Sequence, residues 1–297
     1  MVPPVVHEIQ ARTALNAVQG MPFKWSLNPY KGCRHACTYC YARAYHAYLD
    51  LPASAFETQL FVKTNLAEVL REELRRPGWH GEPITIGTAT DPYQPLEAQY
   101  RITRQCLEVL ADAENPGSVT TKGTLIRRDI DVLTDLTRFA GFTVNMSLIS
   151  LDRDLLQKLE PGAPSPTSRL QTIGKLAAAG ISVSVFLAPV LPGLTDDVES
   201  LTDLVRAAAE HGASDVWTGA LRLPPGVKEY FMQAVAEAFP ELPPSYEQLY
   251  AARPTLNTGY QLRIEGQVSG LREKAGMSHA LIEAPQPTRR RQLALPI

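Results

Sequence analysis

Residues 32–41 read Gly-Cys-Arg-His-Ala-Cys-Thr-Tyr-Cys-Tyr, and three of the four cysteines in the chain, Cys33, Cys37 and Cys40, fall in that stretch. A loop this short points three thiols at one centre, so the surrounding fold must be one that can present a metal site. Three thiolates leave such a site one ligand short. A structural zinc normally closes its shell with four protein ligands, whereas an iron–sulfur cube held by three cysteines leaves one iron open for another partner. The residues therefore allow two readings: an iron–sulfur centre with an open iron, or a zinc knuckle with His35 or His46 as fourth ligand. Zinc fingers usually pair a Cys-x2-4-Cys half with a His-x3-5-His half, which weighs toward the first reading.

At 297 residues and 44% hydrophobic content, the chain can bury a sizeable core as one large domain, or as one domain with an appendage. The formal net charge of -2 supplies no global positive field, so any contact with nucleic acid must be local. No apolar run reaches bilayer length, and the first ten residues lack the basic start and apolar middle of a signal peptide. The expectation is a cytoplasmic protein with no membrane partner. Cysteines distributed three to one, without paired spacing, fit a reducing compartment better than a disulfide framework.

Residues 1–22 show little periodicity and read as an N-terminal arm. Residues 23–27 alternate apolar with polar side chains and lead into the cysteine loop, as a strand does when it ends in a site-bearing turn. A helix is expected over 41–49 and another over 65–76, where Leu66, Val69, Leu70 and Leu74 share a face. Residues 83–90 read as a buried strand. In the next helix, 103–113, Cys106 shares a face with Leu107 and Leu110, which makes it a core thiol rather than a hydrogen donor. Gly117, Gly141, Gly180 and Gly212 then each precede a β-rich segment, at 118–122, 142–149, 181–190 and 215–221. Helical faces lie between them, and strand–helix–strand repetition implies parallel strands joined by crossovers. Six such units, over 23–225, fit an open partial barrel or a doubly wound sheet. From residue 226 onward the pattern gives way to amphipathic helices, with a weak helix around Ile264, Val268 and Leu271 and an Arg289-Arg290-Arg291 run in the tail.

Cys-x3-Cys-x2-Cys with Tyr39 just before the last cysteine resembles the cluster motif of the radical SAM enzymes. Asn28-Pro29-Tyr30, Tyr39-Cys40-Tyr41-Ala42-Arg43, Thr90-Asp91-Pro92-Tyr93-Gln94-Pro95 and Glu160-Pro161 extend the resemblance to the group related to spore photoproduct lyase. It implies an α/β fold, a partial (β/α)6 TIM-like barrel with a C-terminal helical extension. Its implied cofactors are a 4Fe-4S cluster on Cys33, Cys37 and Cys40, and S-adenosylmethionine on the fourth iron. By position, Lys122, Ser147 and Thr90 would contact the methionyl part of that cofactor, and Tyr39 would lie beside it. Strand tips are where α/β folds bind ligands, and a carboxylate in a partly dry cavity needs such donors. The resemblance also implies an electron donor such as flavodoxin or ferredoxin, and leaves open whether the substrate is a nucleic acid or another macromolecule. One departure is that Thr88 stands where the lyase carries its hydrogen-donating cysteine. The other readings are an iron–sulfur protein for electron transfer or sensing, and lyase-like DNA repair.

Overall fold

The computed structural model describes residues 3–277. Its strands are β1 (Val5–Ile9), β2 (Leu15–Ala17), β3 (Trp25–Leu27), β4 (Tyr30–Lys31), β5 (Gln59–Lys63), β6 (Ile84–Ile86), β7 (Gly117–Thr121), β8 (Phe142–Ser147), β9 (Ser182–Val190) and β10 (Asp215–Ala220). The helices are α1 (Leu66–Leu74), α2 (Glu97–Tyr100), α3 (Ile102–Asp112), α4 (Ile130–Ala140), α5 (Arg153–Leu159), α6 (Pro166–Ala178), α7 (Val198–Glu210), α8 (Val227–Ala238), α9 (Pro243–Leu249) and α10 (Thr258–Lys274). The main sheet runs β10-β9-β8-β7-β6-β3-β2, and every pair from β3 to β10 is parallel. These are the six strands expected from the sequence. β10 and β2 end the order without pairing to one another, so the array is an open, partial barrel.

Register explains why the sheet holds a site. Ile86, Val119, Val144 and Val183 are cross-strand partners in one row, and Met146, Val185 and Val216 in another. All are buried and face the same side. The alternate rows are polar: Thr85, Ser118, Thr143 and Ser182, then Thr120, Asn145 and Ser184. Because side chains alternate between faces, Lys122 and Ser147 fall on the polar face with Thr120 and Asn145.

Local signals set the helices in between. Asp152 caps α5 by accepting from the amides of Asp154 and Leu155, and Ser165 caps α6, which opens on Pro166. Gly141 and Gly212 take the left-handed conformation expected just past α4 and α7. Gly117 differs: its φ is not positive, and a Cβ there would lie 2.3 Å from the Ile84 carbonyl oxygen, so close strand approach is its reason. Cys106 is fully buried in α3, as its helical face predicts.

Three features depart from the expectation. Residues 1–22 are not a bare arm: β1 pairs parallel with β5 from Val5↔Gln59 to Ile9↔Lys63, and β2 pairs antiparallel with β3. Both strands are short and half exposed, and their partners lie elsewhere in the chain, so local periodicity does not reveal them. With β4, β1 and β5 make a second sheet of order β1-β5-β4. Residues 41–49 form a 3-10 helix, and α5 has no counterpart in the expected elements.

After β10, α8, α9 and α10 form the C-terminal layer, and α10 packs on β10 and α7. The Arg289-Arg290-Arg291 run lies outside the described residues. Among the described residues no helix is long and apolar enough to cross a membrane.

Candidate active site

The cysteine loop follows β4 directly, and Gly32 makes the turn into it. Gly32 has φ +79°, and a Cβ would sit 2.7 Å from the Phe56 carbonyl oxygen and 2.8 Å from that of Gln59. Only glycine fits that left-handed, crowded position. Cys33 and Cys37 are buried, Cys40 is partly exposed, and none is in a disulfide.

Three segments grip the loop from outside. From the 53–59 turn, the Phe56 carbonyl accepts the Cys33 amide at 3.0 Å. From the tip after β6, Thr90 Oγ1 and Gln94 Nε2 donate to the Gly32 carbonyl at 2.6 and 3.0 Å, and Gln94 Oε1 accepts the Arg34 amide at 3.1 Å. From the turn after α5, the Leu159 carbonyl accepts the Thr38 amide at 2.9 Å, and the Gly162 amide donates to the His35 carbonyl at 3.1 Å. A Cβ on Gly162 would lie 2.0 Å from the Arg34 carbonyl oxygen, which shows how closely the two backbones pass.

Asp91 joins the loop to the sheet. Its carboxylate accepts from Thr121 Oγ1 at 2.6 Å and from the Lys122 and Tyr93 amides at 2.7 and 2.8 Å. His35 Nδ1 lies 3.1 Å from it, off the line of a straight hydrogen bond. Burial works against the charged form, but His35 and these donors outweigh it and hold the Asp91 carboxyl down to about 2.

A second polar group forms where β7 and β8 end. Lys122 Nζ donates to Ser147 Oγ at 3.0 Å, lies 3.9 Å from Glu160 Oε1, and sits 5.7 Å from the centre of the Tyr39 ring. Glu160, buried at the end of α5, accepts from the Tyr39 hydroxyl and from Arg169 of α6. Arg169 Nη1 also donates to the Ser147 carbonyl at 3.1 Å. Burial alone would push the Glu160 carboxyl up; Arg169 and Lys122 reverse that and hold it below its ordinary range. Burial likewise works against the Lys122 ammonium, but Cys37 and Glu160 raise it above the ordinary lysine value. The strand tips thus carry a fixed cation and a hydroxyl beside the cysteine loop.

Of the residues singled out from sequence, Tyr39, Lys122 and Ser147 meet in this group next to Cys37. Thr90 does not join them; its hydroxyl is turned to the Gly32 carbonyl. Thr88 accepts from Asn28 Nδ2 at 3.1 Å, and its carbonyl accepts the Tyr41 hydroxyl. Sequence reasoning assigned no role to Arg169 or Glu160. Arg169 carried a signal: it falls among Pro166, Leu170, Ile173 and Leu176 on the buried face of α6, where an unpaired charge does not survive. Glu160 entered only through the Glu160-Pro161 part of the resemblance, which gave it no partner.

The loop fits a cluster on its own chemistry. Burial pushes the Cys37 thiol up to about 12. Coordination to iron would deprotonate such a thiol and give its charge a partner. Among the described residues, the buried side-chain nitrogen and oxygen atoms without a hydrogen-bond partner are His35 Nδ1, Thr38 Oγ1, Arg43 Nη2 and Arg272 Nε, and the first three belong to the loop or its flank. Among those same residues, no three His, Cys, Asp or Glu side chains close around one point.

Comparison with known proteins agrees with this chemistry. An uncharacterised protein of Mycobacterium tuberculosis is 40% identical over 286 residues, spanning 95% of this chain and 84% of that protein. The radical SAM Nalpha-GlyT isomerase of Pseudomonas phage M6 is 27% identical over 188 residues, 62% of this chain and 37% of that protein. A spore photoproduct lyase mutant superposes with a TM-score of 0.66 over 91% of this chain and 79% of the lyase, at 15% identity, a likeness of fold. A related mutant of the lyase has been solved with bound AdoMet and a dinucleoside spore photoproduct, at the same TM-score of 0.66 and 15% identity. Residues 27–205 match the radical SAM superfamily. With that match over more than half its length, the chain belongs to the radical SAM superfamily of enzymes, and its cofactors are those of the family, a 4Fe-4S cluster and S-adenosylmethionine.

Proposed function

We propose that Cys33, Cys37 and Cys40 hold the cluster and that the protein cleaves S-adenosylmethionine reductively to take a hydrogen atom from its substrate. The observation that carries this reading is that the loop with three free thiols lies beside Lys122 and Ser147, with its own Tyr39 against Lys122, at the tips of parallel strands. When bound, the reduced cluster and S-adenosylmethionine supply methionine and a 5'-deoxyadenosyl radical, the species that attacks an unreactive C–H bond. The chain's own share is positioning and electrostatics. Lys122 Nζ and Ser147 Oγ are the donors for the cofactor's carboxylate, a charge-assisted contact in a partly dry setting. Glu160 keeps Lys122 in place, and Tyr39 covers the loop beside it. Thr90 acts through Gly32, holding the carbonyl that precedes the first ligand.

An electron donor of the flavodoxin or ferredoxin class reduces the cluster in this reading. The open side of the partial barrel admits a large substrate, a nucleic acid or another macromolecule. Thr88 argues against repair of the lyase type, because its O–H bond is a poor hydrogen-atom donor.

The test is anaerobic purification with iron and sulfide analysis, then dithionite and S-adenosylmethionine with chromatography of 5'-deoxyadenosine. About four irons per chain and accumulating 5'-deoxyadenosine support the reading, and replacing any of the three cysteines by Ala should remove both. Zinc in place of iron, or a cluster that never cleaves the cofactor, would sink it.

A further inference from the structure

Arg43 lies three residues past the last cysteine and is fully buried. Its Nε donates to the Cys37 carbonyl at 2.9 Å, and its Nη1 donates to the Ala53 carbonyl at 3.0 Å and to Glu57 Oε2 at 2.6 Å. The guanidinium lies over the Tyr230 ring, 3.9 Å from its centre. Tyr230 belongs to α8, in the C-terminal layer, and its hydroxyl donates to the other Glu57 oxygen at 3.1 Å. Glu57 is bound to the loop a second time, since its carbonyl accepts Arg34 Nη1 at 2.9 Å.

Stability alone does not explain this arrangement. A buried ion pair gains little over apolar residues of the same size, because both charges must leave water. What the pair does supply is a fixed position: one cation and one carboxylate tie Cys37 and Arg34 to a helix outside the barrel. It also sets the cationic end of the pair on the Cys37 carbonyl, with the Glu57 carboxylate on the far side of the guanidinium, and local charge and hydrogen bonding are what set iron–sulfur potentials.

We propose that Arg43, Glu57 and Tyr230 form a positioning latch for the cluster, through which the C-terminal layer governs cluster retention and the charge of Arg43 raises the reduction potential. The inference rests on the three cysteines holding a cluster. Arg43 is a positioning residue: it acts through the Cys37 backbone and has no reacting atom to touch.

The test uses reconstituted holoprotein, with the midpoint potential read by EPR-monitored titration and iron release to a chelator read by absorbance. Arg43→Lys keeps the charge and loses the fork, so release should quicken by about 10-fold, within the range for lost outer-shell partners, while the potential stays near that of the parent. Arg43→Gln should make the potential more negative. Tyr230→Leu, distant in sequence from the loop, should also quicken release, and Tyr230→Phe, which keeps the ring, should retain most of the parent's behaviour. If Tyr230→Leu and Arg43→Lys release iron at the parent rate, the latch is overturned; an unchanged potential in Arg43→Gln removes the role of the charge. Should Arg43→Gln fail to fold, the Tyr230 pair decides the latch and Glu57→Gln decides the charge: loss of the carboxylate that neutralises Arg43 should make the potential more positive, and an unchanged potential removes the role of the charge. A parent protein that takes up no cluster would instead refute the underlying cysteine assignment.

Discussion

Lys122 shows how one residue's surroundings decide what it can do. Held between Ser147 Oγ and Glu160, its ammonium is pre-oriented and charged, so little ordering remains when an anion arrives. Lys122→Ala is expected to weaken S-adenosylmethionine binding by roughly 10- to 100-fold, the worth of one hydrogen bond to a charged group. The cluster absorption should persist; calorimetry and the visible spectrum together check both halves, and loss of the cluster would place Lys122 in a different role. Lys63 is the opposite case. Burial first, and then the nearby Lys31, hold its amine down to about 8 from 10.5. The unfolded chain therefore binds the proton more tightly between those values, and stability rises as pH climbs through that window. Lys63→Met should stabilise the fold at pH 7 by on the order of 2 kcal/mol, with the gain fading near pH 10. Denaturant unfolding at the two pH values checks this, and an equal gain at both would acquit the amine.

Among the elements, the turn between α5 and α6 has an unexpected part. It brings Glu160 to Tyr39 and Lys122 while its backbone locks onto His35 and Thr38. Gly162 permits that approach, so Gly162→Ala must push the turn off the loop by a substantial fraction of the 2.0 Å contact it would make with Arg34. The expected result is a folded protein with reduced iron content and loss of about 1–3 kcal/mol, as for other overpacked sites; iron analysis alongside thermal melting checks it, and full iron occupancy would mean that the turn only fills space. The 3-10 helix at 41–49 belongs to the same scale. Its sequence has no breaker, yet its flank is committed to contacts around Arg43 and His46.

Across the whole molecule, the open sheet leaves β10 at an edge, and α10 covers it. Arg272 Nη1 donates to Asp215 Oδ1 at 3.2 Å and to the Val216 carbonyl at 3.3 Å, while Ile264 and Val268 form the buried face of the helix. Removing residues 258–297 should uncover an unpaired strand edge, which is a template for association. Size-exclusion chromatography would show oligomers or aggregate in place of the parent species; an unchanged profile would mean that β10 is protected without α10.

The six parallel strands were legible because each is a short β-rich segment, alternating or apolar, set apart by glycines and helical faces, and all of that information is local. The cysteine loop was legible for the same reason: its cysteine spacing lies within residues 33–40. By itself the sequence determined the class of fold, the three thiols and the strand tips that face them. Tertiary structure alone decided that β1 pairs with β5, that Thr90 holds Gly32 and that Arg169 and Glu160 neutralise one another beneath Tyr39. It also brought Tyr230, far along the chain, against Arg43. The physical reason is the same for each: a hydrogen bond or ion pair between distant residues leaves no periodic trace in either segment, and becomes visible only when burial shows which polar groups must have found partners.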